Sequence, residues 1–334
     1  MTANGDVTAK VVPVRHVGRW VGSAIALVAV AMLVHTVFSK VPTGAVVCHT
    51  VSGIRSCHYP VHWRFSWDVV FRYFTTSDVI SGLGRTLAIT ALAMTIGIVL
   101  GVLIAIMRIS PSRLLSTTAW TYTWFFRGTP VLVQIIFWFN ITAVFPSMTL
   151  GVPFLPVTFL HVNAIALFTP FNAAVVALGL NEAAYFSEIA RAGLLSVDEG
   201  QVEAASSLGM SRRLAMRLVV LPQAMRVILP PTGNEVISML KTSSLASSVG
   251  VVELLGAVTN IYAANYLPIP LLIVASIWYL LVTTVLSIGQ YYMERHYAKG
   301  ALRTPPPTPI QRLRADLRGV AGKMRTRRGV QVAS

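Results

Sequence analysis

Three groups of residues in this chain carry chemistry that its apolar surroundings do not readily tolerate. The first is the polar and basic stretch EAASSLGMSRRLAMRLVVLP at residues 203–222, set between long apolar segments. Within it Glu203 is an anion and Arg212, Arg213 and Arg217 are cations, more charge than an apolar chain keeps without something to dock there. Gly209 splits the stretch into two short helical pieces, about 201–208 and 211–220, because glycine permits a sharp turn. The second group is Asn234 and Glu235, which with Pro230-Pro231 are expected to open an apolar span, with Lys241 and Ser243 further on. An ionisable residue inside a membrane span must face partners or water, so these four mark a substrate path; hydrogen bonding between helices accounts for them equally well. The third group is Cys48 and Cys57, the only two cysteines, placed in a segment expected to lie outside the cell where disulfides persist. A disulfide closing that segment is the expectation. His49, His58 and His62 stand close by, but the spacing fits no standard zinc pattern, and no metal is expected.

What is absent narrows the chemistry further. No Gly-x-x-x-x-Gly-Lys-Ser/Thr phosphate loop, no His-Glu-x-x-His and no Gly-x-Ser-x-Gly occurs. The chain is therefore read as non-catalytic, binding no cofactor itself and drawing any energy from a partner.

The elements that must position these groups are membrane helices. Of 334 residues 54% are hydrophobic and 12% charged, with a mean hydropathy of +0.67, far from a soluble globular domain. Runs of about 20 uncharged residues span a bilayer. Six occur: 20–38, 86–107, 131–145, 163–180, one within 228–255, and 271–291. The expected fold is thus all-α, a polytopic membrane protein with six transmembrane helices, one N-terminal helix added to a five-helix core. The run 21–34 behind Lys10, Arg15 and Arg19 also has the form of a secretory signal; an uncleaved anchor is favoured, and cleavage would leave every later span in the same orientation.

The net charge of +15 is distributed as topology rather than as a nucleic-acid surface. Cations precede the first span and crowd the tail after the last, from Arg295 to Arg328, so both termini read as cytoplasmic. Lys40, Arg55, Arg64, Arg72 and Arg85 in the outer segment run against this rule, offset in part by Asp68 and Asp78 and by an interfacial helix at 67–74. Arg108, Arg113 and Arg127 fall in an inner loop. The resulting organisation is a cytoplasmic arm 1–19, an anchor 20–38, an outer loop 39–77, a core 78–293 with a polar loop at 196–222, and a Pro- and Arg-rich tail 294–334 too poor in apolar residues to fold alone. That tail is expected to be a disordered cytoplasmic segment, membrane lipid headgroups being its alternative contact. Ala93, Gly97, Gly101 and Ala105 lie along one helix face and predict close helix packing. Glu182, Glu188 and Arg191 must sit at the cytoplasmic rim or face protein, since a central charge costs about 2.5 to 3.5 kcal/mol.

Glu203-Ala204-Ala205, then Gly209, then Val219 and Leu221-Pro222, resemble the EAA signature of permease subunits of ATP-binding-cassette (ABC) importers, with Val219 where isoleucine is usual. Arg127-Gly128-Thr129-Pro130 followed by Val131-Leu132-Val133-Gln134 resembles the polar amino-acid uptake branch of that family. Asn234-Glu235 and the block from Lys241 are similar to it as well, although Thr242 stands where an aspartate is common. The resemblance covers about 78–293. It implies that Glu203, Ala204, Ala205, Gly209, Arg212 and Arg213 form a helix-turn-helix that couples to a separate ABC ATPase, which uses ATP and Mg. It also implies a second permease copy or a sister permease, an extracytoplasmic solute-binding protein, and a place in the bacterial cell membrane. The alternative is a self-sufficient secondary transporter or channel with Glu235 and Lys241 in its path.

Overall fold

The computed structural model describes residues 25–32, 34–35, 40–42, 47–51, 54–58, 61–63, 67–151 and 158–297. The expected arm 1–19 and the tail beyond 297 lie outside the described residues. The chain divides into two units, Met1–Arg72 and Tyr73–Ser334.

In the first unit, helix α1 comprises the helical residues 25–32 and 34–35. Four short strands follow: β1 (Lys40–Pro42), β2 (Val47–Val51), β3 (Ile54–His58) and β4 (Val61–Trp63). The inner pair β2–β3 is nested within the outer pair β1–β4, both antiparallel, so the segment expected as a plain loop folds back on itself as a ribbon. Its register sets Cys48 directly opposite Cys57. Helix α2 (Trp67–Phe74) coincides with the amphipathic helix expected there.

The second unit is helical, as the composition requires. Helix α3 (Ser77–Ile109) is apolar on every side beyond its first turns, where Asp78, Ser81 and Arg85 share a face, and stops at Ser110-Pro111. Helices α4 (Arg113–Gly128) and α5 (Val131–Val144) follow, separated by Thr129-Pro130. A hairpin of β5 (Ser147–Gly151) and β6 (Thr158–Asn163) and a single turn α6 (Ala164–Leu167) lead into α7 (Pro170–Leu195). Then come α8 (Glu199–Ser207), α9 (Arg212–Ala215), a π-helical turn Met216–Val220, α10 (Leu221–Thr242), a 3-10 segment Ser243–Val249, α11 (Leu254–Asn265) and α12 (Pro268–Tyr297).

Contacts between helices fix their directions. The small-residue face of α3 meets α7: Gly97 lies against the Glu182 side chain, and a methyl group on Gly101 would stand 2.9 Å from the Ala183 carbonyl oxygen. Gly179 returns the close approach against Ile96, so α3 and α7 run parallel, backbone near backbone, as small-residue stripes permit. The Tyr122 hydroxyl donates to the Leu180 carbonyl (2.8 Å) and Trp138 stacks on Phe168 (5.6 Å), which makes α4–α5 antiparallel to α7. Gly193 abuts Ile228 while Leu178 and Met239 share one core cluster, so α10 is antiparallel to α7 too. Gly233 abuts Gln290, and Phe74 stacks on Trp278 at 4.8 Å, turning α12 back alongside α3. Three elements therefore run one way and two the other. The turn at 110–112, the segment 196–220 and the C-terminal end of α12 share one end of the bundle; the β5–β6 hairpin and α11 share the opposite one.

Among the described residues, three helical stretches are long and apolar enough to cross a membrane, Ser77–Ile109, Arg212–Val249 and Pro268–Tyr297, with Val131–Val144 shorter. Three boundaries differ from the sequence expectation. The apolar run 163–180 does not form one helix: its first residues go into β6 and α6, and α7 starts at Pro170 behind a Thr169 cap (3.3 Å to the Asn172 N–H) and continues through Glu182, Glu188 and Arg191. Pro230-Pro231 lie inside α10 rather than at its start. Their missing N–H groups free carbonyls one turn earlier, while the Pro230 carbonyl itself receives Gln290 Nε2 at 3.1 Å. Finally, Arg127 belongs to the last turn of a helix packed within the bundle, not to a loop.

Candidate functional site

The segment 196–220 is built as a helical hairpin. Asp198 caps α8 by accepting the Gly200 N–H (2.8 Å), and α8 closes with a paired C-terminal motif: Gly209 N–H to the Ser206 carbonyl (2.9 Å) and Met210 N–H to the Ala205 carbonyl (3.1 Å). That closure needs a left-handed residue, and Gly209 supplies it at φ 74°. Ser211 then caps α9 through the Leu214 N–H (3.4 Å). Ala205 and Ala215 are buried, whereas Glu203, Ala204, Arg212 and Arg213 are exposed and Leu208 is 82% exposed. No ion pair involves Glu203, Arg212 or Arg213 among the described residues. Charges of both signs beside a bare leucine, on a rigid hairpin, form a surface suited to another protein. Helix α9, the π-turn, α10 and the 3-10 segment run on without interruption from Arg212 to Val249, so this surface and the middle of the bundle belong to one rod.

In that middle lies a cavity of about 530 Å³ lined by Arg127, Asn181, Glu182, Tyr185, Glu235, Ser238 and Thr242 among others. Its wall is shaped by Pro130, which cannot donate to the Phe126 carbonyl. Side-chain amides take over that acceptor: Gln134 Nε2 reaches it at 2.9 Å and Asn181 Nδ2 at 2.8 Å, and Gln134 Nε2 also meets Thr129 Oγ1 at 2.7 Å. The break between α4 and α5 is thereby fixed, and Arg127 is carried over the Tyr185 ring at 5.2 Å, within cation–π range. Glu182 is 3% exposed, wedged against Gly97, and its Oε1 has no hydrogen-bond partner among the described residues, an unmet acceptor beside the cavity. A second cavity of about 440 Å³ shares Arg127, Gly128 and Tyr185 and adds Arg108, Trp120, Trp124 and Glu188, extending the opening along α4 and α7 toward the end that carries the hairpin. There Glu188 pairs with Arg191 at 2.9 Å and with Arg108 at 3.8 Å.

Of the four residues assigned to a path from sequence, Glu235 alone lines the larger cavity. Asn234, one helical step away, turns aside and accepts from Gln290 Nε2 at 3.2 Å. Lys241 is exposed and absent from the cavity wall, and Ser243 is buried with its hydroxyl on the Leu240 carbonyl at 2.8 Å. Arg127, Asn181, Glu182, Tyr185, Ser238 and Thr242 were not assigned there. Helical spacing carried the signal: 235, 238 and 242 fall on one face, as do 178, 181 or 182, and 185. A further buried carboxylate went unmarked. Glu253, with no exposure, caps α11 through Leu255 and Gly256 N–H (2.9 and 2.7 Å) and receives Tyr279 OH (3.1 Å) and Thr86 Oγ1 (3.3 Å), tying α3, α11 and α12 together.

Residues 97–299 match the family described as binding-protein-dependent transport system inner membrane component. The chain is 41% identical over 293 residues to the arginine transport system permease protein of Corynebacterium glutamicum, covering 87% of this chain and 84% of that one. It is 35% identical over 226 residues to the nopaline transport system permease protein of Agrobacterium fabrum, covering 65% and 88%. A solved structure described as an amino acid ABC transporter with histidines superposes with a TM-score of 0.59 at 36% identity, covering 69% of this chain and 98% of that one. With its hairpin, its central cavity and these relatives, the chain belongs to the binding-protein-dependent transport system inner membrane components, as an ABC-importer permease for amino acids.

Proposed function

We propose that this permease forms the translocation path for basic amino acids, with the 530 Å³ cavity as its substrate site. The observation that carries the reading is one guanidinium, Arg127, facing a space shared with two carboxylates, Glu182 and Glu235. Arg127 receives the substrate carboxylate, and the acids receive its ammonium and side-chain cation. The unpartnered Glu182 oxygen favours a cationic guest, because a buried acceptor left open is costly until something donates to it. A relative named for transport of arginine supports the same class.

The hairpin at 196–220 docks on a separate ATPase that uses ATP and Mg, and the continuous rod from Arg212 to Val249 carries its movement to Glu235. The end of the bundle holding Arg108, Arg113, Arg212, Arg213, Arg217 and Arg295 faces the cytoplasm in this reading, in keeping with the positive-inside rule. The working assembly is a pair of permeases with two ATPases and an extracytoplasmic solute-binding protein. Uptake by the complete importer in proteoliposomes tests the substrate reading. Glu235→Gln should lower arginine uptake about tenfold or more, the loss of one charge-assisted contact, while the ATPase still co-purifies. Unchanged arginine uptake in that variant would refute it.

A further inference from the structure

A third cavity, of about 560 Å³, opens at the end of the bundle remote from the hairpin at 196–220, between the first turns of α3 and one face of α11. From α3 it receives Asp78, Ser81 and Arg85, which share one helix face; from α11 it receives Asn260 and Asn265. Arg85 is anchored by donating from Nη1 to the Val252 carbonyl at 2.9 Å, which leaves most of its guanidinium donors for another acceptor. Asp78 and Arg85 form no ion pair among the described residues. Two helical turns set their backbones about 10 Å apart. Asn265 accepts the Leu267 N–H at 3.0 Å through Oδ1, yet its buried Nδ2 has no partner.

The floor of this cavity is closed. Gly82 brings α3 so near α11 that a methyl group there would stand 2.8 Å from the Ala257 Cβ and 2.9 Å from the Glu253 carbonyl oxygen. Beneath lies the buried Glu253 with its Thr86 and Tyr279 donors. The outer cavity is therefore separate from the one that holds Glu235, and the two have no lining residue in common.

We propose that this outer cavity is a receiving site for the same solute, a basic amino acid taken up before it reaches the central cavity. A linear basic amino acid carries its carboxylate and its side-chain cation several bonds apart, which suits an acceptor and a donor two turns apart on one helix. Arg85 takes the carboxylate, Asp78 takes the distal cation, and the amides of Asn260 and Asn265 serve the polar groups between them. The identity of the solute rests on the functional reading above; the existence of a second site does not.

Equilibrium binding of labelled L-arginine to the complete permease–ATPase complex in lipid nanodiscs, without binding protein, tests this, with uptake measured in parallel. The expected result is two arginines per permease chain. Asp78→Asn should weaken one of them about tenfold or more, as loss of a charge-assisted contact does, and raise the KM for uptake without changing basal ATPase activity. Ala264→Trp, which fills the cavity and removes no charge, should do the same, and so guards against a folding effect of losing the acid at the start of α3. Wild-type stoichiometry and KM in both variants would overturn the outer site alone. Weakened docking of the solute-binding protein with unchanged arginine binding would overturn it too, making the cavity a protein contact. Glu235→Gln should weaken the other arginine about tenfold or more; if it does not, the central-site reading fails while the outer site stands.

Discussion

Gly209 allows the coupling hairpin to be tested by conformation rather than by size. Its φ of 74° places it in the left-handed region, and a Cβ built there meets nothing within 4 Å. Substitution therefore costs backbone strain and no collision. For alanine the strain is about 1 to 2 kcal/mol; asparagine tolerates this region because its side chain bonds locally; a β-branched valine fares worst. A shift of 1 to 2 kcal/mol changes the ratio of bent to unbent hairpin by roughly 5 to 30-fold. If the hairpin must be bent as observed to seat on the ATPase, substrate-stimulated ATP hydrolysis and uptake in proteoliposomes should fall in the order Gly, Asn, Ala, Val. Asparagine is larger than alanine, so the order separates strain from bulk. Alanine performing better than asparagine would mean that the partner occupies the space beside Gly209, and the strain argument would be wrong.

Three further outcomes follow from packing and register. Replacing Gly97 by leucine drives a side chain into Glu182 across the α3–α7 seam, where even Cβ has no room, and should lower the melting temperature of the detergent-solubilised permease by the equivalent of about 1 to 3 kcal/mol; Gly84→Leu, with nothing within 4 Å, should not. Glu253→Leu strands the Tyr279 hydroxyl and uncaps α11, so it should cost more than Tyr279→Phe, itself about 1 kcal/mol, when both are compared by thermal unfolding. Cys48 and Cys57, opposed in the β2–β3 register, should form a disulfide in protein isolated from membranes without reductant; mass spectrometry finding two free thiols would dismiss it.

What was legible in the sequence was whatever a bilayer forces into composition and spacing. Long uncharged runs have no soluble use, so the helical class was readable, and Ala93, Gly97, Gly101 and Ala105 showed their packing face because close approach in lipid selects small residues. The hairpin was readable for another reason: Gly209 is a local break whose effect does not depend on the rest of the fold, while the Asp198 and Ser211 caps were not part of that reading. The cavity was not, because its wall depends on which faces α4, α7 and α10 turn toward one another. Glu235 and Asn234 are neighbours in sequence and identical in polarity pattern, yet about 100° of helical rotation sends one to the cavity and the other to Gln290. Arg127 was misplaced because charge counting assigns cations to loops, and only Pro130's unmet acceptor, filled by Gln134 and Asn181, explains why a guanidinium is held within the bundle. The ribbon at 40–63 was overlooked although Ser52-Gly53, a two-residue turn signal, stands between the runs Val47–Val51 and Ile54–His58.

The same geometry bears on how force could reach the substrate. From Arg212 to Glu235 the rod spans 23 residue steps, about 35 Å at 1.5 Å per residue, and Pro230-Pro231 lie near its far end. A tilt of about 10° at the hairpin would move Glu235 by roughly 6 Å if the rod stayed rigid. Such a displacement exceeds any hydrogen-bond range and would take this carboxylate out of reach of a solute held by Arg127, which belongs to a different helix. The prolines weaken the rod between hairpin and cavity, but Gln290 bonds the Pro230 carbonyl and lies against Gly233, so α12 braces the weak point. Gln290→Leu removes the brace and leaves the cavity wall and the hairpin surface untouched. It should leave arginine binding and ATPase association as in wild type while lowering arginine carried per ATP hydrolysed. An unchanged ratio of transport to hydrolysis would show that the rod needs no support at its prolines and that force travels by another route.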